Sequence, residues 1–149
     1  MRFQYKPIQT TAPVVSLNGR QDRPRPIAPI TLIGPTNSKL TVGHVDSFSD
    51  DTVFPEQYAI YCGIDLTNAP RGTAAGIGQN PVPVKYAQVT LRMADRTEQR
   101  EWTGWVGFSP VLHNYALLGF AGCLQYFTTT FYGDLEEVEL IVNSLYPGT

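Results

Sequence analysis

Residues 43–55 read Gly43-His44-Val45-Asp46-Ser47-Phe48-Ser49-Asp50-Asp51-Thr52-Val53-Phe54-Pro55. An apolar strand predicted over residues 39–45 runs directly into Asp46 and Ser47, and two further carboxylates, Asp50 and Asp51, follow within five residues. Taken alone, such carboxylates form turns or cap a helix, here one that begins at Pro55. Taken together, they make this loop the first candidate for a catalytic site.

The composition is that of a globular domain built from strands. The 149 residues are 42% hydrophobic and 16% charged, which is enough for one domain with a buried core. Twelve prolines and 13 glycines, with many valines, threonines and tyrosines, favour short strands joined by turns over a helical bundle. We therefore predict an all-β fold.

Charge and hydropathy narrow the possible partners. A net charge of −2 argues against nucleic-acid binding. No apolar run approaches the ~18 residues of a membrane span, and residues 1–6 alternate like a strand instead of forming a signal peptide. The two histidines lack the spacing of metal ligands. We expect a soluble, cytoplasmic protein with no membrane partner, no metal and no cofactor.

The turn residues divide the chain into an N-terminal segment and a main domain. Residues 1–26 are predicted as two strands, 2–6 and 13–17, a turn at Asn18-Gly19, and a stiff connector over 20–26 that contains Pro24 and Pro26. Residues 27–149 are predicted as the main domain. Its predicted elements are strands at 27–33 and 39–45, a helix at 55–62 that is capped by Gly63, and a hairpin over 82–93 and 98–108. An apolar-apolar-Gly element at 116–119, a short helix at 119–127 and a closing hairpin over 128–132 and 136–142 follow.

The central loop resembles the active-site loop of the retroviral-type aspartic peptidases, the retropepsins. That family has two apolar residues, Asp, Thr or Ser, Gly, Ala or Ser, and then Asp-Asp-Thr-Val. Eight positions agree with this pattern: Val45, Asp46, Ser47, Ser49, Asp50, Asp51, Thr52 and Val53. Phe48 stands where the family has Gly, a residue that allows a tight turn and close approach of a substrate backbone.

The resemblance implies a retropepsin-like closed β-barrel with one or two short helices that forms half of a homodimer. Asp46 would be catalytic and Ser47 would support the loops across the dimer axis. Two carboxylates that share one proton are needed, and each chain supplies one, so a C2 dimer is required to cleave a peptide or protein substrate.

The resemblance also implies substrate-binding positions. Asp50 would bind the substrate main chain, and Gly76-Ile77-Gly78 resembles the tip of the flap that closes over substrate. The Ala116–Gly119 element, which contains Leu117, would pair with the Asp46-Ser47 stretch. His44, Phe48 and Tyr115 would border the pocket.

The departures from the family gather at this pocket, at His44, Phe48, His113–Tyr115 and Phe120, the last of which replaces an Arg that usually anchors Asp50. Loss of activity or deliberate redesign would each produce such a pattern. One alternative is therefore a remodelled pocket in which His44, with Cys62 or Cys123 as a possible nucleophile, performs other hydrolytic or proton-transfer chemistry. Another is an inactive dimeric scaffold or binding module. Without such a role, His44 would be a core residue, residues 113–115 a surface loop, and both cysteines buried free thiols.

Overall fold

The structure is a computed structural model that describes residues 1–74 and 80–149. Within these residues the chain forms mostly strands, which confirms the all-β prediction. The elements are β1 (Arg2–Gln4), β2 (Lys6–Val14), β3 (Arg20–Arg25), β4 (Ile27–Ile33), β5 (Ser38–Val45), β6 (Val53–Pro55), α1 (Glu56–Cys62), β7 (Arg71–Ala74), β8 (Val82–Ala94), β9 (Gln99–Ser109), β10 (Ala116–Leu118), β11 (Phe127–Tyr132) and β12 (Glu137–Val142).

A closed barrel of six strands forms the centre of the molecule, as predicted. The sheet order is β4-β5-β10-β6-β9-β8-β7, and pairing of β4 with β8 closes it. The length of β8 makes closure possible, because its residues 82–85 pair with β7 while residues 90–92 pair with β4. Two pairings, β5 with β10 and β6 with β9, are parallel. Closure leaves the barrel strands without free edges.

Alternation along the strands fills the barrel. In β4, Ala28, Ile30 and Leu32 are fully buried, and the residues between them are more exposed or face the other side of the sheet. Trp102 on β9 is also buried, and its indole N–H donates to the carbonyl oxygen of Gly122 at 2.8 Å. Each large apolar side chain buried in this way contributes about 1.5–3 kcal/mol to folding.

Residues 20–26 are not the predicted connector. β3 pairs with β2 in an antiparallel hairpin, and Pro24 lies opposite Pro7. Proline cannot donate a ladder hydrogen bond, but a two-stranded ribbon consists only of edge strands and tolerates it. The predicted strand at 13–17 is also misplaced, because the strand runs from Lys6 to Val14 and a 3-10 turn covers Val15–Leu17.

Two further contacts connect the terminal parts of the chain to each other. β1 pairs with β12, which also pairs with β11, so the first strand and the closing hairpin share one sheet. The Arg20 guanidinium hydrogen-bonds the carboxylates of Asp22 and Glu136, at 2.8 and 3.1 Å respectively. The β2–β3 hairpin is therefore held against the turn that precedes β12.

The predicted first helix is confirmed, and the second is wrong. α1 ends at Gly63, whose φ of 73° lies in the left-handed region that favours glycine. The predicted helix over 119–127 is reduced to a 3-10 turn at Leu124–Tyr126. The carbonyl oxygen of Ala121 accepts the amide of Thr52 at 2.8 Å instead of an amide one turn later, and Gly122 has a φ of 86°, so a regular helix cannot run through these residues.

No helix in the described ranges is long and apolar enough to cross a membrane.

Candidate active site

Asp46 follows the last residue of β5 and is fixed by hydrogen bonds to three backbone groups. Its amide donates to the carbonyl oxygen of Leu118 at 3.1 Å. Its Oδ1 accepts the amide of Phe48 at 3.0 Å, and its carbonyl oxygen accepts the amide of Ser49 at 3.2 Å. Asp46 is half-buried and Ser47 is exposed. The barrel therefore holds a carboxylate in a defined orientation at its surface.

Phe48 adopts this turn without the conformational freedom of glycine. Among the described non-glycine residues, only Asn18 and Glu136 have positive φ. The Phe48 side chain is 77% exposed. Its effect at this position is therefore limited to the volume that its ring occupies in front of the loop.

The expected pairing between the Ala116–Gly119 element and the Asp46 loop is present. β10 lies parallel to β5, with Leu117 opposite His44 and Leu118 opposite Val45. At Gly119 the two segments approach so closely that an added Cβ would overlap the carbonyl oxygen of Asp51 and lie 2.6 Å from that of Ser49. Only glycine fits this crossing.

The simpler interpretation, in which Asp50 and Asp51 cap α1, is wrong. The helix has Pro55 at its N-cap and no side-chain cap. Asp51 instead accepts the hydroxyl of Tyr86 at 2.7 Å, and partial burial together with this hydrogen bond raises the pKa of Tyr86 to about 12. No signal in the sequence singled out Tyr86, because it is one of several tyrosines in alternating strands.

Asp50 itself is exposed, and within the described ranges no basic group lies at ion-pair distance from it. Phe120, where the resemblance predicts an anchoring Arg, is 61% exposed. The ion pair that the resemblance implies for Asp50 is therefore absent from the described residues.

A cavity of about 530 Å³ opens next to Asp46. Its walls are Ile8, Arg25, Pro26, His44, Val45, Asp46, Tyr115 and Leu117. Sheet geometry explains the grouping of three of these residues: Leu117 lies opposite His44, and Tyr115 precedes Leu117 by two residues, so all three point to one face. The rings of His44 and Tyr115 are 4.8 Å apart between centroids, with planes inclined at 55°.

The environment of His44 favours the neutral imidazole. Burial lowers its pKa most, and the positive charge of Arg25 lowers it further, while the Asp46 carboxylate acts in the opposite direction. Desolvation therefore outweighs the neighbouring carboxylate. A neutral ring beside Asp46 can accept a proton or donate one hydrogen bond.

Several predicted pocket residues lie elsewhere. Phe48 and His113 are not part of the cavity wall, and the carbonyl oxygen of His113 accepts the side-chain amide of Gln57 at 2.6 Å. Gly76, Ile77 and Gly78 lie outside the described residues. Sequence reasoning missed Ile8 and Arg25, because Ile8 lies between the two predicted strands of residues 1–26 and Arg25 lies in the predicted connector.

Both cysteines are buried free thiols, as predicted, and neither borders the cavity. Burial raises the pKa of Cys62 and raises that of Cys123 to about 12. A thiol with a raised pKa is a poor nucleophile, which argues against the version of the remodelled pocket that uses a cysteine. In the described part of the chain, no group of three or more His, Cys, Asp or Glu side chains is placed to hold a metal ion.

Comparisons with protein-family models, curated proteins and solved structures found no match for this chain. The six-stranded barrel, the carboxylate fixed at the end of β5 and the adjacent cavity are therefore the features from which its function is inferred.

Proposed function

We propose that this chain is one half of a retropepsin-like aspartic endopeptidase, in which Asp46 residues from two subunits hydrolyse a peptide bond. The observation that carries the proposal is the placement of Asp46. It lies at the end of β5 beside the parallel strand β10, with one carboxylate oxygen bound by a backbone amide and the residue half-exposed. The eight-position agreement of the surrounding loop adds support.

The chemistry requires two carboxylates held close together with one shared proton, because like charges at short distance cannot both ionise. The ionised carboxylate accepts a proton from water as the water oxygen attacks the peptide carbonyl, and the protonated one donates to the carbonyl oxygen. Collapse of the tetrahedral intermediate then transfers a proton to the leaving amine. Since one chain supplies one Asp46, the active form is a C2 homodimer.

The surface around Asp46 suits such an interface. Ser47 is exposed beside the carboxylate, where its hydroxyl can bond across the axis, and Phe48 and Phe120 both expose apolar rings. The amide of Phe120 donates to the carbonyl oxygen of Ser49 at 2.9 Å, so Phe120 lies next to the loop that carries Phe48. Exposed apolar area of this kind is typical of interaction sites.

Phe48 also limits the proposed activity. In a dimer, two benzyl groups stand in front of the paired carboxylates, where a substrate backbone would lie. We therefore expect the unchanged chain to be a slow peptidase.

The test is cleavage of denatured casein at mildly acidic pH, with and without pepstatin. Asp46→Asn should abolish the pepstatin-sensitive cleavage, whereas Asp134→Asn, which alters an exposed carboxylate in a distant turn, should leave it unchanged. Cleavage that survives Asp46→Asn would contradict the proposal.

A second candidate is hydrolytic or proton-transfer chemistry by His44. The observation in its favour is the contact of a neutral His44 with Tyr115 in a cavity beside Asp46. It predicts esterase or proton-transfer activity at neutral pH that His44→Gln removes. If neither the unchanged chain nor Phe48→Gly cleaves casein, and the chain also lacks esterase and proton-transfer activity, the remaining alternative is a dimeric scaffold or binding module.

A further inference from the structure

Within residues 1–74 and 80–149, Arg25 gives the cavity beside Asp46 a positive charge without an ion-pair partner. Arg25 lies at the end of β3, two residues before Ile27, which faces His44 across the β4–β5 pair. In the described part of the chain, no carboxylate lies within ion-pair distance of Arg25. Its guanidinium borders the cavity and acts on the charge of His44. A planar guanidinium is well suited to bind a carboxylate with two parallel hydrogen bonds.

The other walls suit the remainder of an acidic side chain. Ile8, Pro26 and Leu117 offer apolar surface for its methylene groups. The neutral His44 ring and the Tyr115 hydroxyl can each donate a hydrogen bond. The Asp46 carboxylate lies in the same cavity, and repulsion between like charges would direct a bound carboxylate away from it and toward Arg25. A purely apolar side chain would instead cover the guanidinium without supplying a hydrogen-bond acceptor.

We infer that the wall formed by Arg25, His44 and Tyr115 is a binding site for the carboxylate of an acidic residue in a peptide. A preference for acidic substrates would rest on the proposed peptidase function. Binding of an acidic peptide does not require catalysis. Its first consequence is that glutamate is preferred over glutamine in a bound peptide.

The test uses two capped pentapeptides of alanine, one with a central glutamate and one with a central glutamine. NMR of the unchanged protein follows the His44 ring during titration with each peptide. The glutamate peptide should bind about tenfold more tightly, as expected for one charge-assisted hydrogen-bond pair at a partly exposed site. It should also raise the pKa of His44, because an added negative charge favours imidazolium.

Matched arginine variants locate the effect. Arg25→Gln should remove the preference for glutamate, whereas Arg23→Gln, an exposed arginine on the same strand that does not border the cavity, should retain it. Equal binding of both peptides, a preference that survives Arg25→Gln, or no response of His44 to either peptide would overturn the inference.

The binding inference and the peptidase proposal can fail separately. Selective binding by a protein that cleaves no casein would retain the binding site and reject the peptidase proposal. Asp46-dependent cleavage without a preference for acidic residues would do the reverse.

Discussion

At the scale of single residues, the backbone of Phe48 helps to hold the Asp46 loop, whereas its side chain affects access of a substrate to that loop. Its amide holds the Asp46 carboxylate and its backbone requires no positive φ, while its ring is largely exposed. Replacing the side chain should leave the loop in place and change only the space in front of it.

Phe48→Gly should therefore raise the rate of casein cleavage at mildly acidic pH by roughly tenfold or more, equivalent to at least about 1.4 kcal/mol of transition-state free energy. Phe48→Leu, which keeps a bulky side chain, is the control and should remain slow. If the glycine variant is no faster than the parent, the ring is not what limits the activity.

His44 reports on the electrostatics of the cavity. The pKa of His44 is below its ordinary value, so the folded state favours the neutral ring. The free energy of unfolding is therefore highest above the ordinary pKa of histidine and decreases as the pH falls toward the folded-state pKa. Asp46→Asn should lower the pKa further by removing the charge that raises it, and Arg25→Gln should raise it. NMR titration measures both, with the exposed His113 as an internal reference. A His44 curve unchanged by Asp46→Asn would show that the two residues do not share a site.

Tyr86 is expected to stabilise the acidic loop through its hydrogen bond to Asp51. Tyr86→Phe should lower the free energy of unfolding by about 1 kcal/mol, the usual contribution of such a bond. Because the folded-state pKa is raised from 10.0 to about 12, this stabilisation is complete below pH 10 and is lost as the pH rises through 12. Urea unfolding of the unchanged protein and of Tyr86→Phe, at neutral and at alkaline pH, measures this difference in stability. A difference that stays constant up to the highest pH would contradict the assignment.

At the scale of elements, the crossing of β10 with the Asp46 loop is a tightly constrained point of the barrel. Gly119→Ala would force a methyl group against the Asp51 carbonyl, and we expect a loss of about 3 kcal/mol or more in unfolding free energy. Gly133→Ala, at a turn where an added Cβ meets nothing within 4 Å, is the control and should change stability by less than about 1 kcal/mol. Similar losses for both variants would mean that the crossing is less tight than described.

The same elements show what the sequence could and could not predict. Alternation and turn residues predicted β4, β5, β8 and β9 because each strand carries its own local signal. β3 was missed, since Pro24 and the charged residues around it describe a linker unless a partner strand is known. The helix predicted over 119–127 failed because the carbonyl oxygen of Ala121 bonds to a loop about 70 residues earlier and Gly122 has a positive φ, neither of which local patterns reveal.

At the scale of the whole molecule, barrel closure brings together residues that are distant in sequence. Asp46 and Leu117 could be placed near each other from the loop pattern and the apolar-apolar-Gly element. Arg25 and Ile8 could not, because they reach the cavity only through the β2–β3 hairpin. The position of Asp46 beside β10 could therefore be predicted from the sequence, whereas the position of Arg25 at the cavity could not.

The molecular mass in solution tests the shared-carboxylate proposal most directly. A single chain has one Asp46 loop, flanked by the exposed rings of Phe48 and Phe120, and the proposed chemistry needs two such loops facing each other. Sedimentation equilibrium at micromolar concentration should give twice the chain mass of 16.5 kDa. A species of 16.5 kDa at every concentration examined would contradict a catalytic site built from two Asp46 residues.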